Sequence, residues 1–131
     1  MKYLIDTDII IYWLKGDERI ERKVQAIGLQ NIGFSIVSKA ELYFGAYNSS
    51  YPEKNLEKVL LLADTIEVVN FDDKAADIFG FLKAGLKKSG NIVMDADLMI
   101  ASITLANELI LVSNNAKHFQ RISGLVLKNW V

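Results

Sequence analysis

Short, nearly continuous apolar runs alternate along this chain with helix-length segments that are apolar on one side. The runs are Tyr3–Ile5, Ile32–Ile36, Ile66–Asn70, Leu109–Ser113 and a weaker one at Leu125–Leu127. Between them lie Ile9–Leu14, Glu18–Ile27, Ser38–Ala46, Pro52–Ala63, Asp72–Ser89, Asp95–Asn107 and Ala116–Arg121. Glu18–Ile27 shows the helical pattern most openly, with Ile20, Val24 and Ile27 on one side and Gly28 as its stop. Strand alternating with helix leaves few architectures: the strands lie parallel and the helices cover both faces of the sheet. Strands buried on both faces need no polar side, which is why these runs do not alternate polar with apolar. The class expected is α/β, with residues 1–131 forming one domain.

Local signals place the helix starts. Ser38-Lys39-Ala40-Glu41 has the form of a capping box, and Ser50-Tyr51-Pro52-Glu53 repeats it with Pro52 suited to the first helical position. Asp72 is expected to cap the long helix that Gly90 ends, which leaves Asp72 and Asp73 a structural role.

Against this frame three carboxylates stand out. Asp6 ends the first apolar run, Glu41 sits in Ile36-Val37-Ser38-Lys39-Ala40-Glu41-Leu42, and Asp97 sits in Val93-Met94-Asp95-Ala96-Asp97-Leu98-Met99. Each is embedded in apolar sequence and is expected to be at least partly buried. A buried carboxylate is costly unless it is paired, hydrogen-bonded or bound to a metal. In open parallel sheets, ligands bind beyond the carboxyl ends of the strands, where the strand order reverses. Asp6, Glu41 and Ser113-Asn114-Asn115 all follow strand ends, and Asp97 opens the helix that leads into the fourth strand. They can meet on one edge and hold a divalent cation. The chain has no cysteine and one histidine, so the ligands would be oxygens, which select Mg²⁺ or Mn²⁺ over Zn²⁺. Such an ion can activate water and stabilise charge on a phosphodiester oxygen.

The absence of cysteine also excludes disulfides and a thiol nucleophile. A net charge of −1 excludes a global basic field, so any nucleic-acid surface must be local. No apolar run approaches the roughly 18 residues of a membrane span, and the opening Met1–Ile5 is too short for a signal segment. The expected location is the cytoplasm.

The same residues carry a resemblance. Tyr3-Leu4-Ile5-Asp6-Thr7-Asp8-Ile9-Ile10-Ile11 resembles the opening motif of PIN-domain nucleases, where Asn or Ser is more usual at position 8. Ser35–Gly45, with Glu41, resembles their second motif. Asp97-Leu98-Met99-Ile100-Ala101 and Leu111–Phe119 resemble the third and fourth. Ile122–Trp130 resembles the tail of VapC-type toxins. What the resemblance implies is a PIN-like three-layer sandwich with a mainly parallel sheet of four to five strands. It also implies an Mg²⁺-dependent endoribonuclease, with Mn²⁺ as a substitute, acting as the toxin of a type II toxin–antitoxin pair. Asp6, Glu41 and Asp97 match its acidic triad. The fourth acid of many members falls at Asn115, whose amide can ligate but adds no charge, and Asp95 is the residue placed to compensate. Thr7 and Ser113 are candidates for holding a water or an outer metal contact. The implied partners are a VapB-type antitoxin, an RNA substrate (transfer or ribosomal) and a second copy of the chain. The apolar surfaces Ile9–Leu14 and Tyr43–Tyr47 are candidates for protein contact.

Plainer readings compete at several positions. Glu41 can be the reciprocal arm of a capping box with Ser38, Asp95 a helix N-cap, and His118 a solvent-facing residue rather than a general base. Lys15, Arg19, Arg22 and Lys23, then Lys83, Lys87 and Lys88, then Lys117 and Arg121 are ordinarily a solvated face, or phosphate contacts if they line the acidic edge. Two other functions fit parts of the sequence. Asp6-Thr7-Asp8 resembles the start of a haloacid-dehalogenase-type phosphatase, although Ile9-Ile10 replaces the Gly-Thr that usually follows. A non-catalytic binding module with a vestigial acidic site is the other.

Overall fold

The computed structural model describes residues 1–131. Its strands are Tyr3–Ile5 (β1), Ile32–Ser35 (β2), Glu67–Val69 (β3), Ile110–Val112 (β4) and Leu127–Lys128 (β5). They form one sheet in the order β3-β2-β1-β4-β5, and every neighbouring pair is parallel. The helices are Thr7–Leu14 (α1), Glu18–Ile27 (α2), Ile36–Tyr47 (α3), Pro52–Thr65 (α4), Asp73–Lys88 (α5), Asp95–Ala106 (α6) and Ala116–Phe119 (α7). None is long and apolar enough to cross a membrane.

The pleat divides the core in two. Successive strand residues face opposite sides of a sheet. Leu4 and Leu111 therefore enter one apolar cluster, with Leu98, Ile103, Phe119 and Ile122. Ile5 and Val112 enter the other, with Ile9, Ile20, Phe34, Leu62 and Trp130. Helices α1, α2 and α4 cover the second cluster while α5, α6 and α7 cover the first, which makes the three layers. In α6 two polar residues are buried: the Ser102 and Thr104 hydroxyls donate to the Leu98 and Ile100 carbonyls one turn back, at 2.7 and 2.8 Å.

The helix starts depart from expectation in two places. Ile36 belongs to α3, not to the strand before it, and the N-cap is Ser35, whose Oγ accepts the Ser38 N–H at 2.9 Å. Ser38 therefore opens no capping box and Glu41 is no reciprocal arm of one. At α4 the N-cap position is Tyr51, with no side-chain cap, although Pro52 does take the first helical position. Asp72 caps α5 as expected, accepting the Ala75 N–H at 3.0 Å. Gly16 and Gly28 end α1 and α2 at φ +86° and +93°, a region that costs side-chain-bearing residues strain.

Strand order reverses between β1 and β4. The next chain positions after those two strands, Asp6 and Ser113, lie side by side at their carboxyl ends, and this fixes where a site can form.

Candidate active site

Asp6 is set rigidly. Its N–H donates to the Val112 carbonyl at 2.8 Å, which ties it to β4. Its side chain accepts the Thr7 N–H and the Ser113 hydroxyl, both at 2.8 Å, and the residue is 4% exposed. Ser113 is held in turn by the Asn115 N–H at 2.9 Å. Burial pushes the Asp6 carboxyl up to about 6. The Ser113 and Thr7 bonds pull it back, and the charges of Asp8 and Asp97 add to the rise.

Around Asp6 the chain builds a cavity of about 260 Å³. Thr7, Asp8 and Glu41 form part of its wall, and Asp97, Asn115 and His118 complete the polar lining. Glu41 reaches it from the second turn of α3. Its Oε1 accepts the Thr7 hydroxyl at 2.7 Å, and Ser38 Oγ lies 2.9 Å from the same hydroxyl. Thr7 has one proton to give, so Ser38 must be the donor in that second contact. Asp97 lies in the first turn of α6, where the helix dipole favours negative charge. The structure thus brings Asp6, Glu41 and Asp97 onto one wall, together with Thr7 and Asn115. Ser113 stands behind Asp6 as its support.

Three expectations change. Glu41 is exposed, because it projects from a helix surface into the cavity mouth. Asp95 does not line the cavity. It points back to α5, where Lys83 Nζ lies 2.9 Å away, and it is not the N-cap of α6, a position that Met94 occupies. The additional carboxylate in the wall is Asp8, which accepts the Ile9 N–H at 2.7 Å and the Asn114 N–H at 3.0 Å. Burial raises its pKa despite those bonds.

His118 is half-exposed, in keeping with a solvent-facing ring, yet its Nδ1 stands 3.0 Å from Asp97 Oδ2. Asp8 and His118 join the wall without standing out in the sequence as Asp6, Glu41 and Asp97 do. Asp8 had a usable signal, a second acid two residues from the first at a helix start. His118 had none, because its neighbour Asp97 is distant in sequence.

As they stand, no three of the His, Asp and Glu side chains are gathered closely enough to hold a metal ion. Like charges keep apart, and each carboxylate has turned to a nearby donor instead: Ser113, Thr7, Asn114 or the His118 ring. The donor chemistry nonetheless fits a hard divalent cation. The wall offers carboxylate, hydroxyl and amide oxygens in excess of any positive charge, and the most buried carboxylate resists ionisation without one. Beside this cavity runs an apolar groove of about 310 Å³, walled by Ile11, Leu14, Leu42 and Val59 with Lys15 and Lys58, which meets the acidic cavity at Glu41.

Known proteins resemble this chain in sequence and fold. The family model described as PIN domain matches residues 3–125. The chain is 37% identical to Ribonuclease VapC2 of Haemophilus influenzae, over 100% of this chain and 99% of the relative. It is 32% identical to the tRNA(fMet)-specific endonuclease VapC of Shigella flexneri, over 99% and 98% of the two chains. A crystal structure of VapBC2 from Rickettsia felis, bound to a DNA fragment from their promoter, superposes with a TM-score of 0.93 at 32% identity, covering 100% of both chains.

Proposed function

This chain belongs to the VapC ribonucleases of the PIN-domain family, and we propose that it hydrolyses RNA phosphodiesters at the Asp6 cavity on a single domain of residues 1–131. Asp6, Glu41 and Asp97 are the catalytic carboxylates in this reading and would hold Mg²⁺, with Mn²⁺ able to substitute. One observation carries it: carboxylates from three distant parts of the chain wall one cavity at the carboxyl ends of β1 and β4. The bound cation would neutralise the carboxylates and stabilise charge on the phosphoryl oxygens. The chain's own residues do the rest. Ser113 and the Thr7 N–H fix the two oxygens of Asp6, the Thr7 hydroxyl fixes Glu41, and His118 stands against Asp97. The positive dipole ends of α1 and α6 lie at the cavity wall. Asn115 adds an amide oxygen without charge. The phosphatase reading of Asp6 and Asp8 gives way to the family assignment.

The chain is the toxin of a VapBC-type pair, and its partner is a VapB-type antitoxin that covers the apolar groove running to Glu41. It works in the cytoplasm as a homodimer within the toxin–antitoxin assembly. Phe44 and Tyr47, both 69% exposed, are candidates for those contacts. The RNA substrate is a transfer or ribosomal RNA. The test is cleavage of total cellular RNA by purified protein with Mg²⁺, with Mn²⁺ and with chelator, followed by mapping of the cut ends. Cleavage should require the cation and vanish in Asp97→Asn. Cleavage that persists in chelator, or in that variant, would overturn the reading.

The wall composition yields a paired prediction. Asp8→Ala, which removes the acceptor that the Asn or Ser more usual at this position would also supply, should lower kcat/KM by about 10- to 100-fold, since one polar group at a metal site is worth a few kcal/mol. Asp95→Asn, whose carboxylate is spent on Lys83, should stay within about twofold, as exposed ion pairs are weak. The reverse ranking in steady-state kinetics would remove Asp8 from the site.

A further inference from the structure

Resting on the nuclease reading above, we propose that Lys117 and Arg121 seat the RNA phosphate next to the one being hydrolysed, on the Asp97 side of the acidic cavity. A second cavity, of about 140 Å³, opens there. Lys117 and Arg121 line it, and it shares Met94, Asp97 and His118 with the acidic cavity, so the two adjoin. The two cations are four residues apart, across α7 and the turn after it, which brings both to one side. Both are exposed, and neither forms an ion pair.

The electrostatics require such a seat. An RNA strand carries a negative charge at every linkage, and the acidic cavity attracts only the phosphate that meets its cation. Neighbouring linkages are repelled by Asp6, Asp8, Glu41 and Asp97 unless uncommitted cations hold them. On the Glu41 side, Lys15 and Lys58 stand in the apolar groove assigned above to the antitoxin. On the Asp97 side, Lys117 and Arg121 are free for phosphate. A guanidinium and an ammonium together suit a phosphodiester, the first by bidentate donation and the second as a point charge.

The test uses a short single-stranded RNA that carries the mapped cut site. In the double variant Lys117→Ala/Arg121→Ala, KM should rise by about tenfold at low salt, while the slope of log binding against log salt becomes shallower by about 0.7, the share of one lost phosphate contact on a single strand. Mn²⁺ binding by calorimetry should be unchanged, and Lys117→Arg/Arg121→Lys should restore the slope. A neutral methylphosphonate placed at the linkage beside the cut should weaken binding to the wild type but not to the double variant. An unchanged salt slope in the double variant, or equal sensitivity of both proteins to the methylphosphonate, overturns the seat while leaving the nuclease intact. A wild-type protein that does not cut the RNA with Mg²⁺ or Mn²⁺ overturns both.

Discussion

Asp6→Asn is expected to cut RNA hydrolysis by at least about a thousandfold, which corresponds to roughly 4 kcal/mol of lost charge stabilisation. The same change is expected to make the metal-free protein more stable. Asp6 has an ordinary value of 3.8 when unfolded and about 6 when folded, because burial disfavours its charge. Between those values the native state binds more protons than the unfolded state, so stability falls as pH rises. The stabilisation from a protonated Asp6 is complete below 3.8 and gone above about 6. At neutral pH the fold therefore carries a buried charge that its two hydrogen bonds compensate only in part, at a cost of about 2–3 kcal/mol. An Asn keeps the shape without the charge, and the metal-free variant should melt about 5–10 °C higher near pH 7.

Calorimetry in chelator checks this. The wild type should melt higher near pH 5 than near pH 7, and that pH slope should shrink in Asp6→Asn. It should not disappear, because Asp8 is shifted the same way. Mg²⁺ should reverse the slope in the wild type, since binding needs the ionised carboxylate. A metal-free variant that melts lower than the wild type would show that Asp6 is held for packing or capping rather than for charge.

Phe119→Ala is expected to cost about 3–5 kcal/mol, the range for emptying a fully buried aromatic site. Phe119 ends the four-residue helix α7 and is completely buried, packed with Ile122 and the α6 residues Leu98 and Ile103. A helix that short has no stability of its own. Its position depends on this one side chain, with help from Ile122. The neighbours it carries are Asn115, Lys117 and His118, so the substitution should loosen one side of the acidic cavity as well as the core. Urea denaturation should show the midpoint falling without a change of slope. Phe119→Leu, which keeps most of the volume, should recover the larger part. A loss below about 1 kcal/mol for the alanine variant would mean that α7 is held by its backbone bonds instead.

Much of the architecture could be read from local signals because local physics decides it. α2 spans Glu18–Ile27 as its periodicity and Gly28 require, and the Asp72 cap of α5 stands where expected. The start of α3 could not be read this way. Ser35 and Ser38 are both competent caps, and Ile36 and Val37 favour strand by propensity. The decision comes from the end of β2 pairing, which releases the backbone at Ser35. The site divides in the same manner. Asp6, Glu41 and Asp97 announce themselves by apolar context, whereas the choice between Asp8 and Asp95 depends on where Lys83 and Asn114 lie in space. Glu41 shows the limit of context as evidence: its neighbours are apolar, but it sits on the outward side of a helix and is exposed.

The position of β1 at the middle of the sheet, between β2 and β4, has a consequence for when this protein becomes dangerous to the cell that makes it. Asp6 leaves the ribosome long before Asp97, and long before Ser113, the residue that braces Asp6 itself. A nascent chain that stops short of them has no cavity, no complete acidic wall and no free slot filled beside β1. The poison cannot exist before Ser113 has been made, which leaves the antitoxin that whole interval in which to be waiting.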